Sequence, residues 1–262
     1  MTAPGFPSAT AQRVAAHRLG FERPPTPYGA AAADDLLARD VAGSAAVDLS
    51  DSMNRYLRGR TAFFDDTVIK ALDRGVTQVV CIGAGYDGRS LRYAKPGVRW
   101  WEVDHPDTQA DKLTRMQRLR IETPRITFVG FDLRSSGLAM TLTGHGLVPE
   151  SPSLFLCEGV AVYLDAAVLE SLLSELRLVA HAGTRLALSA ATASSSADHA
   201  ARRRRFQTAV ASLGEPVRNS LTAEQVTELL ARAGWHTKVQ SERAQRAGFL
   251  TAEPVGRARP AH

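Results

Sequence analysis

Short, continuous apolar runs separated by polar or amphipathic segments organise most of this chain. Runs of this length, bounded by turn residues, are typical of strands that are buried in a parallel sheet. Six of them are predicted as strands, at residues 78–82, 98–103, 126–131, 153–157, 185–191 and 235–240. A further segment, 249–255, is predicted as a last strand at the edge of the sheet.

The segments between these runs carry helical patterns. Apolar residues recur at helical spacing from 53 to 74, and Gly75 follows where a helix would end. Further helices are predicted at 89–94, at 106–119, after Asp165 and at 222–233. In the last of these, Thr222 is the expected N-cap and Gly234 the stop signal.

Strands that alternate with helices predict an α/β fold, with a doubly wound, mostly parallel sheet of seven strands in a single domain. Residues 1–52 are interpreted as a helical cap, in which Pro24, Pro25 and Pro27 join two short helices by a rigid turn. The predicted parts that follow are a core at 53–193, a lid insertion at 194–220 and the C-terminal part of the sheet at 221–262.

Composition adds little to this interpretation. The 262 residues are 44% apolar and 23% charged, and the net charge is +5. Clustered basic residues can bind the phosphates of a nucleic acid, but they more often form a solvated face. No stretch approaches the roughly 18 apolar residues of a membrane span, and no secretory signal begins the chain, so a cytoplasmic location is expected. Cys81 and Cys157 are far apart, which predicts buried apolar thiols and no metal site.

The first predicted strand runs directly into the turn Gly83-Ala84-Gly85 and then into a short helix. Glycine lets the backbone turn sharply and approach a ligand closely. Because dinucleotide enzymes share such a turn, it indicates a nucleoside-bearing cofactor without saying which one.

Acidic residues at the ends of the next predicted strands narrow the choice of cofactor. Glu102 and Asp104 lie on one face of the second strand, and Asp104 is about 20 residues past the turn, where an acidic residue binds a ribose diol. Asp132, followed by Leu133, ends the third strand, where it could bind an adenine amino group or cap a helix. Glu158 ends the fourth. These carboxylates suit a ligand that carries an ammonium, a sulfonium, a diol and an adenine, as S-adenosylmethionine does. A dinucleotide would bring two phosphates, which suit basic groups or backbone donors better. The acidic pattern therefore favours S-adenosylmethionine.

Taken together, these segments resemble the leucine carboxyl methyltransferase family. The resemblance rests on Arg60-Thr61-Ala62-Phe63-Phe64-Asp65-Asp66, Ile82 to Arg89, Glu102-Val103-Asp104-His105-Pro106, Asp132-Leu133 and Glu158-Gly159. The runs 86–91 and 103–112 are closest to the bacterial tetracenomycin-type polyketide carboxyl O-methyltransferases. The resemblance covers residues 50–240, approximately, and implies the Rossmann-like sheet of a class I methyltransferase that uses S-adenosylmethionine, releases S-adenosylhomocysteine and needs no metal.

The resemblance also implies a role for each matching position. Arg60 would pair with the carboxylate of the methionine moiety, as suits an arginine. Glu158 would face the amino group or the substrate entrance. The other implied contacts are those of Gly83, Ala84 and Gly85 with the cofactor backbone, of Asp104 with the ribose, and of Asp132 and Leu133 with the adenine. A lysine that binds the cofactor carboxylate in eukaryotic members has no counterpart at 27–30, and the tail is short.

The expected function is methyl transfer to a carboxylate of a small-molecule acceptor, such as a polyketide or another secondary metabolite. Glu158 and Tyr163 are the candidate catalytic residues. A carboxylate, with a reference pKa of about 4, is already ionised near neutral pH and needs no general base. The lid arginines would either orient it or face solvent; they are Arg202, Arg203, Arg204 and Arg205. No nucleic-acid or membrane partner is expected, and the oligomeric state is open, a homodimer included.

Four alternatives stay open at this point. A phenolic acceptor would need a base, for which Tyr163 and His105 are candidates, although His105 also suits a structural position. A nicotinamide-dependent oxidoreductase would share the glycine turn. A nucleic-acid methyltransferase would use the basic charge, but the fourth strand ends in Glu-Gly-Val and not in an Asn/Asp-Pro-Pro-aromatic motif. A non-catalytic partner protein would keep the fold without turnover.

Overall fold

The computed structural model describes residues 7–43, 50–190, 218, 221–238, 241, 244–245 and 247–256. Its strands are β1 (Gln78–Ile82), β2 (Arg99–Asp104), β3 (Ile126–Gly130), β4 (Ser153–Cys157), β5 (Arg185–Ser189), β6 (Trp235–Thr237) and β7 (Phe249–Pro254). Its helices are α1 (Ala9–Arg18), α2 (Asp35–Ala42), α3 (Asp51–Asp73), α4 (Arg89–Arg92), α5 (Pro106–Arg118), α6 (Leu138–Gly144), α7 (Ala166–Leu178) and α8 (Ala223–Arg232), with a 3₁₀ turn at Ala161–Tyr163.

One seven-stranded sheet has the order β3-β2-β1-β4-β5-β7-β6. Strands β1 to β5 pair in parallel, and β7 pairs antiparallel with both β5 and β6. The predicted doubly wound, mostly parallel α/β fold is therefore confirmed. The chain winds outward from β1 in two directions, and the resulting crevice between the loops after β1 and β4 is where open α/β sheets bind ligands.

Alternation along the central strands gives the sheet two apolar faces. Val79 and Cys81 point with Leu154 toward α3, whereas Val80 and Ile82 point with Phe155 into the larger core under the helices of the other face. Because both faces are covered, each central strand is a continuous apolar run, as the sequence pattern indicated. Both cysteines are buried free thiols, in agreement with the sequence prediction.

The predicted helix signals are found at the observed ends. Helix α3 stops before Gly75, whose φ of +82° is the left-handed conformation of a helix C-terminus. Helix α8 begins at a capping box in which Thr222 and Gln225 bond each other's backbone N–H, and Gly234 follows its end. Helices α1 and α2 flank the proline-containing segment, as predicted.

The structure corrects one strand and adds one helix. The prediction that the last strand lies at the edge is wrong, because β7 is inserted between β5 and β6, and β6 is the edge strand. Helix α6 was not predicted; its first turn is capped from α7 by Glu175, which accepts hydrogen bonds of 3.0 Å from Gly137 N and Ala139 N. The predicted lid and its four arginines lie outside the described residues.

Candidate active site at the ends of β1, β2 and β4

The glycine turn after β1 is shaped by contacts with the protein itself. Gly83 and Gly85 have φ of +64° and +49°, which favour glycine. A Cβ on Gly83 would lie 2.3 Å from Val160 Cγ2, and one on Gly85 would lie 2.7 Å from Ala11 Cβ. The Cβ positions of these glycines are therefore filled by side chains from the loop after β4 and from α1. Ala84 is buried and donates its N–H to Val103 O at 3.0 Å.

Asp104, at the tip of β2, is held by backbone donors. Its Oδ2 accepts from Gly85 N at 2.5 Å and its Oδ1 from His105 N at 2.6 Å. Burial raises the pKa of Asp104 above its usual value, and these two hydrogen bonds act in the opposite direction. The carboxylate is thus fixed beside the glycine turn, and each oxygen keeps the capacity to accept a further bond.

Its neighbours in sequence have structural roles. Glu102 is almost fully buried in β2, where it forms an ion pair with Lys112 and accepts a hydrogen bond of 2.6 Å from Ser90. His105 is the N-cap of α5, and its Nδ1 accepts from Asp107 N at 3.3 Å. The two acidic residues of β2 therefore differ: Glu102 is neutralised inside the fold, and Asp104 is the one at the crevice.

Asp132 and Leu133 follow β3 at the same edge of the sheet. The carboxylate of Asp132 pairs with the half-exposed Arg134 and accepts from Arg134 N at 3.0 Å, and these hydrogen bonds lower the pKa of Asp132. Leu133 is buried, with Cδ1 3.8 Å from the position of a Cβ on Gly83. An apolar side chain thus lies beside the glycine turn, as the adenine role requires.

Glu158, after β4, is surrounded by guanidinium groups. Its Oε1 accepts from Arg18 Nη2 at 2.8 Å and from Arg60 Nε at 2.9 Å, and its Oε2 accepts from Arg89 Nη1 at 2.6 Å. Burial alone would raise the pKa of Glu158, but these three cations outweigh it and hold the pKa well below the usual range. Glu158 is therefore anionic at neutral pH and a very weak base.

The same cluster extends into the protein through Arg89, which is 1% exposed. Its guanidinium pairs with Asp87, just after the glycine turn, and with Asp65 on α3, where the Nε to Oδ1 distance is 2.7 Å. Asp65 also pairs with Arg23 of the segment between α1 and α2. We call Arg18, Arg60, Arg89, Asp87 and Glu158 the arginine cluster. It joins four separate parts of the chain at the crevice, namely α1, α3, the segment after β1 and the loop after β4.

Two tyrosines interact electrostatically with Arg60. The Arg60 guanidinium carbon is 5.7 Å from the centre of the Tyr56 ring, one helical turn earlier on α3. Tyr163 is half-buried in the 3₁₀ turn after Glu158. Burial opposes the charge of Arg60, but Glu158, Tyr56 and Tyr163 together raise the pKa of Arg60. A buried, charged guanidinium thus lies among these groups at the crevice.

The structure brings the predicted residues to one edge of the sheet, but it changes the reason for the acidic residues at the strand tips. Glu158 and Asp132 have arginine partners, so fold stability explains part of the acidic pattern at the strand tips. Sequence reasoning missed Arg18 and assigned no role to Arg89. A signal for Arg89 was present in Asp87-Gly88-Arg89, where opposite charges directly follow the glycine turn.

These residues fit the nucleoside part of S-adenosylmethionine. Asp104 offers acceptors for a ribose diol, and Leu133 offers an apolar surface near the turn. At the other end, Glu158 already has three cationic partners, so the arginine cluster suits the carboxylate of the methionine moiety better than its ammonium.

Among the described residues, no helix is long and apolar enough to cross a membrane. Across that same part of the chain, no group of three or more His, Cys, Asp or Glu side chains is arranged to bind a metal ion.

Comparisons with known sequences agree with the geometry. The model of a family described as leucine carboxyl methyltransferase matches residues 19–177, a range that includes Arg60, the glycine turn, Asp104, Asp132 and Glu158. A relative from Parafrankia sp. (strain EAN1pec), provisionally named as an S-adenosyl-L-methionine-dependent methyltransferase, is 39% identical over 62% of this chain and 53% of its own length. A similarly named protein of Mycobacterium marinum (strain ATCC BAA-535 / M) is 29% identical over 86% of this chain and 74% of its own. The chain thus spans about half the length of the Parafrankia protein.

Solved structures show the same fold at low sequence identity. A provisionally named methyltransferase from Thermobifida fusca YX has a TM-score of 0.60 at 16% identity and covers 94% of both chains. Magnesium protoporphyrin IX methyltransferase from Synechocystis PCC 6803, with bound S-adenosylhomocysteine, has a TM-score of 0.53 at 15% identity, over 80% of this chain and 90% of that one. Together with the strand order, this likeness shows the class I methyltransferase fold.

Proposed function

Because the chain belongs to the leucine carboxyl methyltransferase family, we propose that the protein is an S-adenosylmethionine-dependent O-methyltransferase that esterifies a carboxylate of a small molecule. The observation that carries the proposal is the family match itself, since residues 19–177 contain every cofactor-binding position named above. The resemblance of the runs 86–91 and 103–112 to tetracenomycin-type enzymes supports a polyketide or related secondary metabolite as the acceptor.

The proposed cofactor roles follow the geometry. Asp104 would bind the ribose, and Leu133, with Asp132 beside it, would contact the adenine. Gly83, Ala84 and Gly85 form the turn next to these groups. Arg60 would bind the carboxylate of the methionine moiety, because arginine donates two parallel hydrogen bonds to such a group. S-adenosylmethionine, when bound, supplies an electrophilic methyl group on a sulfonium.

The low pKa of Glu158 supports a carboxylate acceptor over a phenol. A phenol must lose a proton as it is methylated, and a general base works best when its pKa lies near the operating pH. Glu158 has a pKa well below the usual range, and His105 Nδ1 is engaged as a helix cap. An ionised carboxylate needs no base, so the residues have to position it and exclude water. Tyr163, in the 3₁₀ turn after Glu158, is the residue we propose to contact the acceptor.

A labelled methyl group tests the proposal. The protein is incubated with S-adenosylmethionine carrying a ¹³C-methyl group and with matched aromatic acids and phenols. We expect S-adenosylhomocysteine and a methyl ester that mild base hydrolyses. A base-stable methyl ether would contradict the carboxylate acceptor, and calorimetry without any binding at millimolar S-adenosylhomocysteine would contradict the cofactor.

A further inference from the structure

Helix α1 covers the glycine turn and the start of α5. Ser8 N, at the N-cap of α1, donates to Thr108 Oγ1 at 3.2 Å, and Gln12 Nε2 donates to the hydroxyl of Tyr86 at 3.3 Å. Between them, Ala11 fills the place of a Cβ on Gly85. Helix α1 is thus a wall of the crevice, although more than sixty residues separate its end from the turn.

Arg18, at the end of α1, reaches across the crevice itself. Its Nη2 donates to Glu158 Oε1 at 2.8 Å, and its Nη1 lies 3.5 Å from Asp87 Oδ2. Asp87 follows β1 and Glu158 follows β4, and these strands are neighbours in the sheet. One guanidinium therefore bridges the two loops that border the ligand-binding crevice of this fold.

Two observations indicate that Arg18 has capacity for an anion. Its Nε is buried and has no hydrogen-bond acceptor among the described residues, and such an orphaned donor is costly unless a partner arrives. In addition, Arg18 and Arg60 both donate to Glu158 Oε1, so two guanidinium groups share one carboxylate oxygen. Arg89, by contrast, has Asp87 and Asp65 as further partners. The missing partner is expected to be an acceptor with negative charge.

We propose that Arg18 is a further cofactor-binding residue, which donates to the carboxylate of the methionine moiety, and that docking of α1 over the crevice is coupled to cofactor binding. The inference rests on the proposed function. A ligand that binds the docked state of α1 more tightly than the open state stabilises docking by that difference in affinity. By reciprocity, loss of the contact weakens both docking and cofactor binding.

The first test is hydrogen exchange of the wild-type chain with and without saturating S-adenosylhomocysteine. We expect the amides of Ala9–Arg18 to exchange at least about tenfold more slowly when it is bound, because opening of α1 then requires loss of the Arg18 contact. A structural role for Arg18 alone would leave this exchange unchanged. Bound S-adenosylhomocysteine with unchanged exchange in α1 therefore overturns the coupling.

The second test is calorimetry with Arg18→Gln, Arg18→Lys and a matched control. The control is Arg39→Gln, since Arg39 is 71% exposed and its ion pair with Asp35 lies within α2. We expect Arg18→Gln to weaken S-adenosylhomocysteine binding by about 10- to 100-fold, the effect of a lost hydrogen bond between charged groups. Arg18→Lys should be intermediate, because it keeps the charge, and Arg39→Gln should bind as wild type.

The outcomes separate this inference from the proposed function. If the wild-type chain binds S-adenosylhomocysteine and Arg18→Gln binds it with unchanged affinity, only the role of Arg18 is overturned. No binding to the wild-type chain overturns both. If Arg18→Gln does not fold, the exchange experiment on the wild-type chain still decides the coupling.

Discussion

Glu158, after β4, and Asp104, the last residue of β2, lie on opposite sides of β1, and the protein holds these two carboxylates in different ways. Three guanidinium groups neutralise Glu158 in a buried cluster, whereas Asp104 accepts hydrogen bonds from the backbone of Gly85 and His105. Their pKa values differ in direction: the three guanidinium groups lower the pKa of Glu158, whereas burial raises the pKa of Asp104 despite its two hydrogen bonds. The position of a carboxylate at a strand tip therefore does not by itself make it a ligand site. Whether it can bind a ligand depends on the groups with which it is already paired.

We expect the largest loss of stability when the carboxylate that the buried guanidinium groups share is removed. Glu158→Gln leaves three guanidinium groups without their shared anion, and breaking a buried ion pair in this way costs about 3–5 kcal/mol. We expect the free energy of unfolding in urea to fall by that amount. Glu170→Gln, at the solvent-facing pair with Arg232, is the control and should leave it nearly unchanged. Equal stabilities of Glu158→Gln and wild type would show that the cluster does not hold the fold together.

Asp104→Asn probes the other end of the site. The amide keeps the shape and can still accept one backbone N–H, but it loses the charge that favours hydroxyl donors. We expect S-adenosylhomocysteine to bind about 10- to 100-fold more weakly, with a smaller loss of stability than in Glu158→Gln. Calorimetry measures the affinity, and Asp66→Asn, at an exposed position of α3, is the matched control. Affinity equal to that of the control would rule out the ribose role.

The pH dependence of stability should separate the two carboxylates by sign. The pKa of Glu158 is lower in the folded state, so its contribution is present above the unfolded value of about 4.3 and is lost as pH falls through the folded pKa. The pKa of Asp104 is higher in the folded state, so its contribution is present below the unfolded value and is lost as pH rises through the folded pKa.

Urea unfolding between about pH 3 and pH 7 checks this contrast. The stability difference between wild type and Glu158→Gln should shrink toward acid pH, and Asp104→Asn should gain on wild type toward neutral pH. A parallel pH profile for the two variants would contradict the different environments that the structure shows.

The smallest effect is expected at Asp132, whose partner Arg134 is half-exposed. Asp132→Asn should change the free energy of unfolding by no more than about 0.5 kcal/mol, as for other exposed ion pairs. If Asp132 accepts from the adenine amino group, S-adenosylhomocysteine should bind about two- to tenfold more weakly in calorimetry. Unchanged affinity would leave Asp132 with its contacts to Arg134 alone.

The local sequence pattern was sufficient to predict those strands and helices whose signals lie within their own residues. Strands β1 and β4 match the predicted ranges because both faces of the sheet are covered and every residue of the run is apolar or buried. Helix α6 escaped prediction because its cap, Glu175, comes from another helix. The place of β7 escaped it too, since a short strand carries no signal for the edge or interior of a sheet.

In the candidate site, too, some residues could be predicted from the sequence and others could not. Gly83, Asp104 and Glu158 could be selected from sequence because the carboxyl ends of parallel strands meet at one edge of the sheet. Arg18 could not, because nothing in an alanine-rich helix tells which distant carboxylates its arginine will meet.

By itself, the sequence determined the type of the strands, their order along the chain and the edge of the sheet at which the candidate site lies, because apolar periodicity and turn residues act over short distances along the chain. The tertiary structure decided which charges neutralise one another. It placed Arg18 of α1 against Glu158, 140 positions away, and Glu102 against Lys112 inside the fold. Pairing of charges depends on distance in space and on burial, and neither is written in the local pattern.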